Sequence, residues 1–279
     1  MRVAIRTDCM PPTQNHGPVA VPILVYHVIG VAPVPGYPFS ISRAEFHLHL
    51  QWLRSRGYAS VNLDDLVAAR SGRGRLPARP VILTFDDGYR DTVSTAAPLL
   101  VDYGFTATFF FVTGLLGQRS AWTTGRGFEL ALADRGQIRQ LAALGFECGA
   151  HSVTHQRLGP LDDAAALAEM RDSRAALEDV LGKRVDHFAY PYGSRRPSVV
   201  RLAEAAGYVT ACTTEPRLAF PSDTLYEIPR STIRGNRNFL HFIAGVRSGR
   251  LLDEQPHIWD RVRSTAAAAA AYIPFMVFG

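Results

Sequence analysis

Cysteine is scarce in this chain, with only Cys9, Cys148 and Cys212 among 279 residues. They lie far apart, without the close pairs from which structural zinc sites and redox motifs are built, and their odd number offers no disulfide framework. Long apolar runs are missing too. Residues 1–20 carry Arg2, Arg6 and Asp8 and do not resemble a secretory signal. The apolar segment 266–278 falls short of the roughly 20 residues a spanning helix needs, and Pro274 interrupts it. A final element packed on the main fold is therefore expected, and no spanning membrane segment. The missing signal predicts a cytoplasmic protein, with an extracytoplasmic or membrane-associated location left open.

Blocks of like charge are lacking as well: 30 Lys+Arg stand against 25 Asp+Glu, a formal net charge of +5. One short basic run between Arg70 and Arg79 is broken by Ser71, Gly72 and Gly74 and reads as a solvated loop, so nucleic acid is not an expected partner. No repeat of fixed period and no linker-like stretch is evident. The oligomeric state has no signature.

What the chain does contain is enough apolar material for one large core, 47% of its residues. Short β-rich runs at 22–26, 59–61, 81–85, 107–112, 146–150, 187–190 and 209–213 alternate with segments of helical period. Ser42 and Glu45 form a capping-box pattern ahead of Phe46, Leu50 and Leu53, and that helix ends by Gly57. Four further helices over 91–103, 137–144, 162–181 and 198–206 run directly into Gly104, Gly145, Gly182 and Gly207, suited to terminate them. This alternation predicts the α/β class, with helices around a parallel sheet or barrel of about seven strands. A single domain over 21–250 is expected, with an N-terminal extension (1–20) and a C-terminal extension (251–279). The aperiodic, glycine-containing stretch 114–136, with Trp122, reads as a long loop forming a rim.

In such folds chemistry gathers where strands end. His27 follows the first proposed strand, Asp86, Asp87 and Gly88 follow the third, His151 and His155 the fifth, and Pro191, Tyr192 and Gly193 the sixth. Adjacent carboxylates leaving an extended strand point different ways and can do different jobs, although an Asp there can also simply cap the next helix. His151 and His155, spaced i, i+4, would share one side of a helical turn. With no Glu between them the metalloprotease arrangement does not apply. Two imidazoles and a carboxylate from another strand end form a set suited to a divalent metal with open positions. A constrained turn at 190–193 can present a backbone N–H to an oxyanion.

Thr84-Phe85-Asp86-Asp87-Gly88-Tyr89, His151-Ser152-Val153-Thr154-His155 and Tyr190-Pro191-Tyr192-Gly193, in this order, resemble the polysaccharide deacetylases of carbohydrate esterase family four. The likeness runs from about Pro22 to Ala244, and the segments 22–27 and 52–66 look like the branch containing poly-N-acetylglucosamine deacetylases. The resemblance implies a distorted (β/α) barrel holding one divalent metal, zinc first, with cobalt, nickel or manganese as alternatives. It makes Asp87, His151 and His155 the ligands, Asp86 the general base and the Tyr192 amide an oxyanion donor. The substrate implied is an N-acetylated glycan, hydrolysed to release acetate.

The chain departs from the family pattern in two places. Ala189 stands where many members carry an Arg that orients the base, so something else must set Asp86. The family's later motifs, including the one that carries the general acid, have no clean match. His27 is the leading candidate for that acid and His241 the alternative. Arg230 is expected near substrate or base, and Tyr89 and Pro191, inside the matched motifs, are expected at the substrate with Arg230 and His241. Two other readings stay open: hydrolysis of a small non-glycan amide on the same scaffold, and a glycan-binding module that has lost turnover.

Overall fold

The computed structural model describes residues 19–235 and 237–249. Cys9, residues 1–18 of the N-terminal extension and the C-terminal extension 251–279 lie outside the described residues.

Ten strands form in chain order: β1 (Ile23–Tyr26), β2 (Val28–Ile29), β3 (Ser40–Ile41), β4 (Ala59–Ser60), β5 (Pro80–Phe85), β6 (Thr108–Phe111), β7 (Glu147–Ala150), β8 (His187–Ala189), β9 (Thr210–Cys212) and β10 (Ser231–Thr232). Between and after them run helices α1 (Arg43–Ser55), α2 (Leu63–Arg70), α3 (Arg90–Tyr103), α4 (Arg135–Ala143), α5 (Asp163–Leu181), α6 (Pro197–Ala205) and α7 (Phe239–Ser248). All seven expected strands are present. The three additional ones, β2, β3 and β10, have two residues each, too few to display a period.

Helices α2 and α7 were also beyond the expected set. The first owes its start to a capping box between Asn62 and Asp65, and its last residue, Arg70, donates to the Asp223 and Phe220 carbonyls. The basic run therefore begins inside a helix, and Arg70 is held by protein carbonyls. At α1, Ser42 accepts the Glu45 N–H as expected. The expected stops hold too: Gly104 and Gly182 take left-handed φ of 66° and 64°, a conformation that is costly for residues bearing a Cβ.

The main sheet runs β10-β1-β5-β6-β7-β8-β9, every pairing parallel, with β4 beside the start of β5. Parallel pairing requires crossovers, and the helices supply them, giving a curled, distorted (β/α) barrel. Residues 225–228 pair with β9, and the chain then continues into β10 beside β1, so one segment touches both edges of the curled sheet. Alternation sorts the strand residues into two layers. Leu83, Phe85, Phe109, Phe111 and Phe188 face the helices, whereas Ile23, Ile82, Phe110, Ala189, Cys212 and Ile228 fill the interior. Asp86 follows Ile82 and Thr84 on the inward face and leaves the strand at the rim.

Candidate active site

Two carboxylates emerge from β5 and diverge. Asp86 continues the inward face, while Asp87 takes a left-handed φ of 71°, a region that Asp tolerates better than most residues. Gly88 follows at φ 69°, packed so closely on Phe111 that a Cβ would lie 2.7 Å from its ring. The backbone twist separates the two acids as their adjacency suggested, and both are buried.

Asp86 is clamped by Arg230. Nη1 donates to Oδ1 at 2.8 Å and Nη2 to Oδ2 at 2.7 Å, while Nε donates to the Thr213 carbonyl and Nη1 also to Thr84 Oγ1. Arg230 is fully buried and is not among the residues lining the cavity described below. The expectation that it contacts substrate is corrected, and the alternative, contact with Asp86, is what the structure shows. It reaches Asp86 from the segment that bridges the sheet edges, where a side chain can enter the interior. Ala189 on β8 leaves that guanidinium position open. Burial pushes the Asp86 carboxyl pKa up, but Arg230 and His151 outweigh it and the net shift is downward.

Asp87 faces two imidazoles. Its Oδ1 lies 3.0 Å from His155 Nε2 and 3.5 Å from His151 Nε2. The expected helical turn between the histidines is absent. His151 follows β7 directly, and Ser152 and His155 both take left-handed φ, 64° and 62°. Ser152 Oγ accepts the His155 N–H, and the Glu169 carboxylate on α5 accepts the Val153 and Thr154 N–H groups and the Thr154 hydroxyl. This loop satisfies its own donors with side chains, so it needs no helix to bring the rings together. The role of Glu169 escaped the sequence reading because α5 lies well beyond the motif.

His151 Nδ1 lies 2.8 Å from the Ala189 carbonyl, which can only accept, so Nδ1 carries the proton. With the proton on Nδ1, Nε2 can offer its lone pair on the side that faces Asp87, the arrangement a ligand to a shared cation needs. The spacing suits one. Metal bonds of about 2.0–2.1 Å in a tetrahedron imply ligand separations of roughly 3.3–3.4 Å, and the three donor atoms lie within 4.8 Å of one another. His155 Nδ1 sits 3.1 Å from the Tyr192 phenol, and Trp122 stacks on the same ring at 4.2 Å. Burial lowers the His155 pKa, with Asp87 opposing. Such outer contacts fix a ring's orientation for metal binding. The residues present fit one buried divalent ion.

These groups floor a cavity of about 300 Å³ lined by His27, Tyr37, Trp122, His155 and Tyr192 among others. His27 belongs to it, and its buried Nδ1 has no hydrogen-bond partner among the described residues. Burial lowers its pKa despite the nearby Asp87 and Asp86. Tyr192 holds φ 59°, and its N–H makes no hydrogen bond to another described residue. The stretch 114–136 forms two 3-10 turns and lays Trp122 over the site, as the rim reading expected. Three expected substrate residues are placed elsewhere. Tyr89 is buried beneath Trp122, whose indole N–H donates to its hydroxyl; Pro191 is buried; and His241 lies in α7. None of them lines the cavity. Sequence position put Tyr89 and Pro191 inside the motifs, but Pro191 is buried and the Tyr89 phenol is engaged by Asp87, Tyr37 and Trp122 of the wall.

The sequence signature described as polysaccharide deacetylase matches residues 73–211. YxkH of Bacillus subtilis (strain 168) is 27% identical over 231 residues, 83% of this chain and 77% of its own length. The poly-β-1,6-N-acetyl-D-glucosamine N-deacetylase of Staphylococcus aureus is 24% identical over 214 residues, 74% of this chain and 71% of its own. Among solved structures, the Streptococcus pyogenes deacetylase PplD in complex with acetate superposes with a TM-score of 0.71 at 26% identity, covering 82% of this chain and 99% of that one. With its barrel, its motifs and these relatives agreeing, the chain belongs to the polysaccharide deacetylase family.

Proposed function

We propose that the protein is a metal-dependent N-deacetylase of N-acetylhexosamine-containing glycans, its catalytic domain spanning 21–250. One observation carries the reading: Asp87 Oδ1 lies 3.0 and 3.5 Å from two imidazole nitrogens while an Arg-clamped carboxylate, Asp86, opens onto the same cavity. Asp87, His151 and His155 would hold the ion, zinc first. When bound, a divalent ion supplies Lewis acidity toward the acetyl carbonyl and toward water.

The remaining work falls to this chain's own groups. Asp86, kept ionised by Arg230, takes a proton from the attacking water through a carboxylate lone pair that the guanidinium leaves free. The Tyr192 N–H donates to the developing oxyanion, a contribution of roughly 3–4 kcal/mol for one donor in other hydrolases. His27, whose Nδ1 has no protein partner, passes a proton to the departing amine and is restored by the one that Asp86 took from water, so the proton count closes. His241, in α7 and off the cavity wall, is set aside for that task. Trp122 and Tyr192 flank the ligand His155 and limit water around it.

The staphylococcal relative's name supports an N-acetylglucosamine polymer as substrate, and the acetate in the streptococcal structure is the product such a reaction releases. A module without turnover was suggested by Ala189 and by the missing later motifs, and the Arg230 clamp answers the first of these. The test is acetate release by zinc-loaded protein from chitooligosaccharides and β-1,6-linked N-acetylglucosamine oligomers, with metal content measured in parallel. Turnover that Asp86→Asn abolishes while metal stays bound is expected. Near-normal activity in Asp86→Asn, or no acetate from any glycan by metal-loaded protein, overturns the reading.

A further inference from the structure

Three arginines reach the cavity from three different loops. Arg126 ends the 3-10 turn Ala121–Arg126, Arg157 follows His155 by two residues, and Arg234 follows β10. Among the described residues the carboxylates on the cavity wall are Asp86 and Asp87, the first neutralised by Arg230 and the second facing two imidazoles. Elsewhere on the surface Arg119, Arg135, Arg184 and Arg196 each close on a carboxylate. Arg126 and Arg157 have no carboxylate within 4.0 Å among the described residues.

Their placement is ordered. The Arg157 guanidinium lies 4.4 Å over the Tyr192 ring, whose phenol touches His155. Burial raises the Tyr37 and Tyr192 phenol pKa values, and Arg126 lies close enough for its charge to oppose that rise at both. Arg234 stacks on Phe39 at 5.6 Å. The Arg157 guanidinium, held over the Tyr192 face, turns its in-plane N–H donors outward toward a planar or tetrahedral anion.

We propose that the glycan accepted here is anionic, with a carboxylate or phosphodiester on the sugar next to the acetylated residue received by Arg126 and Arg157, and with Arg234 adding to the positive wall. This rests on the deacetylase reading for the acetylated sugar, while the charge preference is a property of binding and is measured separately. A neutral homopolymer leaves the two guanidinium groups without a counter-charge. An anionic chain is drawn in by all three, increasingly so as salt is lowered.

The experiment compares three substrates on the zinc-loaded full chain: a neutral chitooligosaccharide, an oligomer alternating N-acetylglucosamine with glucuronate, and a phosphodiester-linked N-acetylglucosamine oligomer. At low salt kcat/KM for one anionic arm exceeds the neutral one by roughly tenfold or more, and the arm that does so identifies the anion. The ratio collapses toward one in about 1 M salt. It also falls about tenfold in Arg126→Gln/Arg157→Gln, through KM, and is largely kept in Arg126→Lys/Arg157→Lys. Because the ratio is taken on one preparation, partial misfolding cancels. Calorimetric binding of the same oligomers supplies the second readout. Equal binding and equal kcat/KM for neutral and anionic oligomers overturn the inference and leave deacetylation standing. Tighter, arginine-dependent binding of an anionic oligomer without acetate release supports the inference and sinks the deacetylase reading.

Discussion

Two carboxylate–histidine clusters sit at opposite ends of the same sheet, and they are built to opposite purposes. At the C-terminal rim, Asp87 meets His151 and His155. At the other end, His187 opens β8 with Nε2 at 3.1 Å from both Asp64 and Glu147, and its Nδ1 donates to Thr210. Either trio has metal-ligand spacing. Their second partners differ. His151 donates from Nδ1 to a backbone carbonyl and points Nε2 at the carboxylate, whereas His187 donates from both nitrogens and is a cation. Burial alone would depress the His187 pKa, but Glu147 and Asp64 raise it to about 9. Glu147 is itself saturated, accepting from Thr108 and from the Leu63 and Asp64 N–H groups at the start of α2. The lower cluster is an internal ion pair that locks a helix to the barrel. The upper one gathers donor atoms at a spacing that suits a cation.

Backbone geometry draws the same line. Among the described residues, the non-glycine positions with left-handed φ are Asp87, Ser152, His155 and Tyr192, all at the upper rim. Strain of this kind persists where surrounding contacts over-determine it, and Arg230, Glu169 and Phe111 provide those contacts.

The sharpest break between the clusters comes from removing one histidine from each. His151→Ala should lower acetate release by roughly three or more orders of magnitude, the several kcal/mol a Lewis acid contributes, and abolish metal binding with little change in unfolding free energy. His187→Ala should leave turnover per folded molecule and metal content intact and cost about 2–4 kcal/mol of stability, because the nearly buried Glu147 side chain loses its ion-pair partner. Acetate assays, metal analysis and urea melts on both variants check this. A His187→Ala protein that loses metal would merge the two roles.

Arg230→Met tests whether the upper end also contains a structural ion pair. It leaves Asp86 buried beside no guanidinium, so about 3–5 kcal/mol of destabilisation is expected, together with a rise in the Asp86 pKa. The acid limb of the activity profile then moves upward in pH. Unchanged stability and an unmoved limb would show that Arg230 merely fills space.

The lower pair has a pH signature. The folded pKa of His187, about 9, lies above its ordinary value near 6.5. Its stabilisation is therefore fully present below about pH 6.5 and is lost as pH rises toward 9, on the order of 3 kcal/mol in all. Urea melts of wild type minus His187→Gln should show that slope, and a flat difference across the window refutes the ion pair.

Much of this was legible in the sequence because β1, β5, β7 and β8 run into His27, the Asp86–Asp87 pair, His151 and the Pro191–Gly193 turn, whose spacing is local. Asp86, Asp87, His151 and His155 are each read from a few neighbours. The compensation for Ala189 was signalled only as a gap, since Arg230 closes it from 144 residues beyond Asp86. Two-residue strands such as β10, which brings Arg230 in, have no period to detect. The i, i+4 histidine spacing pointed to a helix because periodicity cannot see that Ser152 Oγ and Glu169 cap the same donors. Tyr89 and Pro191 share the motifs yet do not line the cavity: Pro191 is buried, and the Tyr89 phenol is taken up by the wall residues Asp87, Tyr37 and Trp122.

The finest distinction between the clusters lies in what orients each imidazole. His151 is oriented by a main-chain carbonyl that no side-chain substitution removes, and His155 by the Tyr192 hydroxyl at 3.1 Å. Tyr192→Phe deletes that contact alone and keeps both the ring beside His155 and the backbone N–H. Loss of one outer-shell hydrogen bond typically weakens metal affinity by about 10–100-fold, and the low end is expected here because Trp122 still stacks on His155. Competition with a chromophoric chelator would read the affinity directly. Turnover at saturating metal should change far less than affinity does, since the oxyanion donor remains. If instead turnover falls and affinity holds, the phenol acts on the substrate, and the orienting role assigned to it is wrong.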